Sequence, residues 1–119
     1  MKRIELFEQV VTIEEIAEQG LNRDVVFAYQ DSFRLKRDKM NFDESFSSVD
    51  KIVDELEKFG INEITISYPG TALLKYLKQF DDRGFKVCGM EQIDTGKRDF
   101  DFKTRETKVV MAEAIILRK

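Results

Sequence analysis

Between Ile61 and Gln92 the hydrophobic period changes twice, and that change restricts the chain to folds that lay a helix across a sheet. Ile64, Ile66 and Tyr68 alternate with Glu63, Thr65 and Ser67, the period of two expected of a strand with one buried face. Pro69 lacks the N–H that a sheet ladder needs, and Gly70-Thr71 offers a joint and an N-cap hydroxyl. Leu73, Leu74, Leu77 and Phe80 then read as one helical face, up to Gly84, which suits the left-handed position after a helix. Phe85 opens the next strand almost at once. A helix joining two strands that closely is the crossover of a parallel pair, so 61–92 is expected to form a βαβ unit.

The remaining segments extend this into an α+β fold with an α/β-like core, occupying residues 1–119 as a single domain. About five strands are expected, near 2–10, 24–30, 61–68, 85–92 and 107–117, in a mixed sheet. About three helices, near 12–19, 48–59 and 71–82, are expected to pack mainly on one face of that sheet. Thr12 and Glu15 have capping-box spacing, and Gly20 stops the helix that follows. In the second helix Val49, Ile52, Val53, Leu56 and Phe59 make a continuous core stripe, with Ser47 as N-cap and Gly60 as stop. Thr95-Gly96-Lys97 reads as a turn. The apolar run from Val109 to Leu117 reads as a strand buried on both faces and antiparallel to its predecessor.

Composition removes several chemistries. The chain has no histidine and one cysteine, Cys88, which excludes histidine-based acid–base catalysis and any His/Cys metal site. Cys88, between Val87 and Gly89, is expected to be a small buried residue. Glu106-Thr107-Lys108 has the acid-x-Lys spacing of some metal-dependent nucleases, with Asp94, Asp99 or Asp101 as the partner acid. Charged residues make up 36% of the chain, however, so such spacings arise by chance and no metal or cofactor is expected. Thr12 to Gly20 is partly similar to the first helix of a helix-turn-helix. Ala17 and Gly20 are only three apart, and the β-branched, aromatic 24–29 reads as a strand, which sets DNA reading by this segment aside.

Charge distribution carries the functional expectation. The net charge is −3, and it is uneven: residues 1–60 hold nine Lys/Arg against fourteen Asp/Glu, and 61–119 hold eleven against nine. The leading expectation is a non-enzymatic interaction or regulatory protein. Its acidic helix face, Asp50, Asp54, Glu55 and Glu57, would meet a basic protein partner, as in an inhibitor of a nucleic-acid-handling protein. The alternative is a nucleic-acid contact through Arg34, Lys36, Arg37 and Lys39 together with Lys97, Arg98, Lys103 and Arg105. A third reading, a small enzyme or ligand sensor, places an anion at Gly70 and Thr71, where a strand end meets a helix N-terminus. No signal-peptide core and no membrane-length apolar run is present, so the default location is cytoplasmic. An exposed sheet edge leaves homodimerisation open.

Overall fold

The computed structural model describes residues 1–43, 48–67 and 70–119. In chain order the elements are α1 (Glu5–Gln9), α2 (Ile13–Glu18), α3 (Arg23–Arg34), β1 (Met40–Phe42), α4 (Val49–Lys58), β2 (Glu63–Ile66), α5 (Leu73–Asp82), β3 (Lys86–Asp101) and β4 (Glu106–Arg118). The class is the expected α+β, with four strands and five helices among the described residues. Ser47, Tyr68 and Pro69, to which the sequence reading gave an N-cap and a strand end, lie outside the described residues.

The sheet order is β1-β2-β4-β3, with β1 parallel to β2 and β4 antiparallel to both of its neighbours. β2 and β3 therefore run the same way across α5, as the βαβ reading requires, but β4 lies between them. The adjacent parallel pair is instead β1 and β2, joined through α4. Two physical reasons account for this. The short turn after β3 returns the chain antiparallel beside it, and the apolar β4 gains two neighbours by entering the sheet.

Two expected strands are helices. Residues 24–30 belong to α3, capped by the Asn22 side chain accepting from the Val25 N–H at 3.1 Å. Val25, Val26, Ala28, Tyr29 and Ser32 are its buried positions, a helical stripe that outweighs the strand preference of its β-branched residues. The segment read as strand 2–10 contains α1, because Ile4 has no strand to pair with. Its N–H donates to the buried Tyr29 hydroxyl at 2.9 Å, and Gln30 Nε2 donates to the Phe7 and Val10 carbonyls at the far end. α2 and α3 are thus two helices joined at Gly20. The exposed positions of α3, namely Arg23, Phe27, Asp31, Phe33 and Arg34, do not form a basic reading face.

One apolar cluster joins the helices to one sheet face: Phe7, Val26, Tyr29, Ile52, Leu56 and Phe80 pack with Met40, Phe42, Ile64, Ile66 and Leu117. On α5 the inward residues are Leu73, Tyr76, Leu77 and Phe80. Leu74, expected among them, is exposed, because it sits one position round the helix from that row. The opposite sheet face is polar at its centre, where Asn41 Nδ2 donates to Ser67 Oγ and the Thr65 hydroxyl donates to Asn41 Oδ1, both at 2.8 Å. Gly20, Gly60 and Gly84 all take the positive φ expected of helix stops.

Candidate functional site

β3 and β4 run on past the body of the domain as a two-stranded arm. A 16-residue strand is roughly 50 Å long at about 3.3 Å per residue, which accounts for the 48 Å long axis of the molecule. Cross-strand partners share a face, so register fixes what the arm presents. Leu117, Ile115, Glu113, Met111, Val109 and Thr107 lie on the face that the helices cover at the base, opposite Val87, Met90, Gln92, Asp94, Arg98 and Phe100. Leu117 is fully buried, whereas Met111 is 48% and Val109 47% exposed. Beyond Glu113 and Gln92 the core face continues outward as a mixed surface, in which Met111 and Val109 stand opposite Asp94 and Arg98 and no helix covers them. Half of β4 thus departs from the expectation of a strand buried on both faces: it has left the layer of helices.

The tip lies at Phe102 to Arg105, not at Thr95-Gly96-Lys97. Arg105 takes a positive φ of 58°, and its N–H donates to the Asp101 carbonyl at 2.7 Å. Gly96, at φ +86°, belongs to an irregularity within β3 between Asp94 and Arg98. Phe102 is 86% exposed and meets Phe100 edge-on with ring centres 5.0 Å apart. Acids and aromatics alternate in the sequence from Asp99 to Phe102, a pattern that by itself assigns neither phenylalanine a role.

The expected acidic face divides in two. Asp50, Asp54 and Glu57 recur along one stripe of α4 and converge on Arg83, at 3.0, 2.7 and 3.6 Å, and Glu57 also pairs with Lys119. Glu55 points elsewhere and is buried, its carboxylate accepting the Asn22 N–H at the start of α3. Of the four residues assigned to partner binding, three remain at the surface and one ties α4 to the α2–α3 turn. The helix cap is Ser48, whose hydroxyl accepts from the Lys51 N–H at 3.3 Å.

The first basic stretch touches the arm just ahead of the second, at Asp94 and Gly96. Arg37 donates to the Asp94 carbonyl from Nε at 3.0 Å and from Nη2 at 2.6 Å, and Leu35 packs against Gly96. Arg98 is held by Asp94 at 2.8 Å, and Arg34 lies 3.6 Å from Asp31. Lys39 is almost covered: it faces Asp38 at 2.9 Å, Glu91 at 3.2 Å and Glu63 at 3.5 Å. Burial works to lower the pKa of this ammonium, but the hydrogen bonds that it donates to Asp38 and Glu91 prevail and raise it. Lys36 is exposed at φ 56°, and Lys97, Lys103 and Arg105 are exposed further along the arm. Arg37 and Lys39 are consumed by the fold, leaving Lys97, Lys103 and Arg105 as the arm's outward cations.

The remaining candidates lie at the start of α5, near the arm tip and on β3. α5 begins after Ala72 with no side-chain cap bond, so Thr71 is not its cap, and the Gly70 carbonyl accepts the Leu73 N–H at 3.2 Å. Glu106 stands opposite Asp101 and Lys108 opposite Asp99, all near the arm tip. Among the described residues no three potential metal ligands cluster. Cys88 is exposed, against the expectation of burial, because its strand forms the outer edge of the sheet.

The paired carboxylates set a pH dependence. Hydrogen bonds from Lys39, Lys119, Arg118 and Arg98 lower the pKa of Asp38, Glu57, Glu63 and Asp94 respectively. A depressed carboxylate contributes stability that is complete above its unfolded value, about 4, and is lost as pH falls through the lower folded value. The melting temperature is therefore expected to stay level from neutral pH to about 5 and to fall below about 4. Added salt should weaken the drop; thermal melts across pH at low and high salt provide the check.

Fold and surface define an α+β domain with a four-stranded mixed sheet and a projecting β-arm. Residues 24–117 match a family described as a domain of unknown function (DUF7698), and the chain belongs to that family. The match takes in α4, the whole sheet and the arm up to Leu117, and begins within α3. No curated protein and no solved structure matches the chain. No helix among the described residues is long and apolar enough to cross a membrane.

Proposed function

We propose that this chain is a non-enzymatic interaction protein with a regulatory role, and that the β3–β4 arm is its principal contact surface. One observation carries the reading: the arm exposes Val109 and Met111 on the outward continuation of the core face, among polar and charged neighbours, and two phenylalanines at its end. Met90, Phe100, Phe102, Val109 and Met111 are all exposed along the arm, interleaved with polar and charged side chains, and exposed apolar surface rimmed by polar residues marks interaction sites. An isolated two-stranded ribbon is also only marginally stable in water, so a partner that covers the arm lowers its free energy. The acidic stripe of Asp50, Asp54 and Glu57 is a secondary contact, weakened because Arg83 already neutralises part of it. The chain as inhibitor of a nucleic-acid-handling protein would use that stripe.

The test is affinity purification of the tagged chain from its native cells beside two variants. Phe100→Ser with Phe102→Ser is expected to lose the stoichiometric partner while its melting temperature stays within a few degrees of the parent, since both rings are exposed. Retention of the partner by that variant, with loss on Asp50→Lys and Asp54→Lys, would transfer the function to the acidic helix.

A further inference from the structure

We infer that the partner of the arm is a second copy of this chain, the basic aromatic tip of each protomer lying against the acidic α4 stripe of the other. The inference rests on the arm being the contact surface. Two charge distributions on the same molecule argue for it. From 97 to 108 the arm carries Lys97, Arg98, Lys103, Arg105 and Lys108 against Asp99, Asp101 and Glu106. The α4 stripe presents Asp50 and Asp54 with side chains 78% and 68% exposed, and Glu57 beside them, against the single guanidinium of Arg83 and the shared Lys119. Lys51 and Lys58 lie off this stripe, one residue beyond Asp50 and Glu57. The chain therefore holds both halves of a complementary pair, an outward cationic tip and an acidic helix.

Sheet edges and symmetry support the same occupant. The outer edge of β1 is closed by α3, whose buried Ser32 hydroxyl accepts the Asn41 N–H at 3.1 Å. The outer edge of β3 has no strand beside it among the described residues. Among the described residues the open sheet edge is thus on the arm side. Two arms, each laid on the other protomer's α4, give an isologous contact that closes at two copies, so the product is a dimer and not a filament.

The experiment is sedimentation of the purified full chain from low to high micromolar concentration, at low and at high salt. The expected result is a dimer at low salt that dissociates as salt is raised. Lys103→Glu with Arg105→Glu, and separately Asp50→Lys with Asp54→Lys, should each weaken self-association at least about tenfold. All four residues are exposed, and thermal melts of each variant confirm that it is folded. An equimolar mixture of the two variants should restore the dimer, because both reciprocal contacts then pair opposite charges. A parent chain that stays monomeric at every concentration would overturn the second copy as partner, while the purification above still decides the arm. A dimer that survives reversal of the tip charges would overturn this docking geometry. Binding of a labelled oligonucleotide by the parent chain, lost on the same reversal, would make nucleic acid the occupant instead.

Discussion

Replacing Phe80 with alanine is expected to remove about 3–5 kcal/mol of stability, the largest effect of any change considered for this chain. Phe80 is fully buried in the last turn of α5, and its ring meets that of Phe85 edge-on with centres 6.1 Å apart. Both ends of the α5–β3 connection converge there, since the Phe80 carbonyl also accepts the N–H groups of Arg83 at 3.1 Å and Phe85 at 2.9 Å. Alanine keeps those backbone bonds and deletes the ring. The result is a cavity where the helix layer meets the root of the arm, with few neighbours free to collapse into it. Urea unfolding should show a lower midpoint with an unchanged slope. Leu74→Ala on the same helix is the control: Leu74 is exposed, so its loss should stay within about 0.5 kcal/mol.

The second large effect is expected at Glu55. Glu55→Ala should cost about 1.5–3 kcal/mol, because the hydrogen bond that the Asn22 N–H donates to this carboxylate is lost where α4 meets the α2–α3 turn. Asp50→Ala and Asp54→Ala should each cost under about 1 kcal/mol, since their ion pairs with Arg83 are largely solvated on the acidic side. Urea unfolding of the three variants separates a structural acid from surface acids that are adjacent in sequence. Equal, small losses at all three positions would show that Glu55 does not hold the turn.

Legibility in the sequence followed the length of the repeating pattern. α4 and α5 were readable because a stripe recurs over ten residues in each and a glycine follows, and both ends fall within two residues of expectation. β4 was readable as an antiparallel strand inside the sheet, since few other elements tolerate so continuous an apolar run. α1, of five residues, is too short for its period to show. α3 was missed because Val25 to Tyr29 taken alone resembles a strand, and its helical stripe emerges only when Ser32 is included. At the candidate site, the alternation of Asp99, Phe100, Asp101 and Phe102 was visible. Whether those side chains are buried depends on where the helix layer ends, which no local pattern encodes. The role of Glu55 was hidden for a similar reason: its carboxylate contacts a backbone N–H 33 positions away.

The position of β4 bears on how the protein is made. It is the last of the four strands in the chain, yet it occupies a central place between β2 and β3. A ribosome must deliver Ile115 to Arg118 before β2 acquires its antiparallel partner, whereas β3 can begin to pair once Glu106 has followed Asp101. Until then β2 can pair only with the three residues of β1, and the base of β3 at Lys86 to Met90 has no neighbour. Nascent chains therefore pass through a stage with open, apolar strand edges, the condition in which chains associate wrongly or recruit chaperones. Folding of the sheet is in this sense gated by the arrival of β4, the strand farthest along the chain.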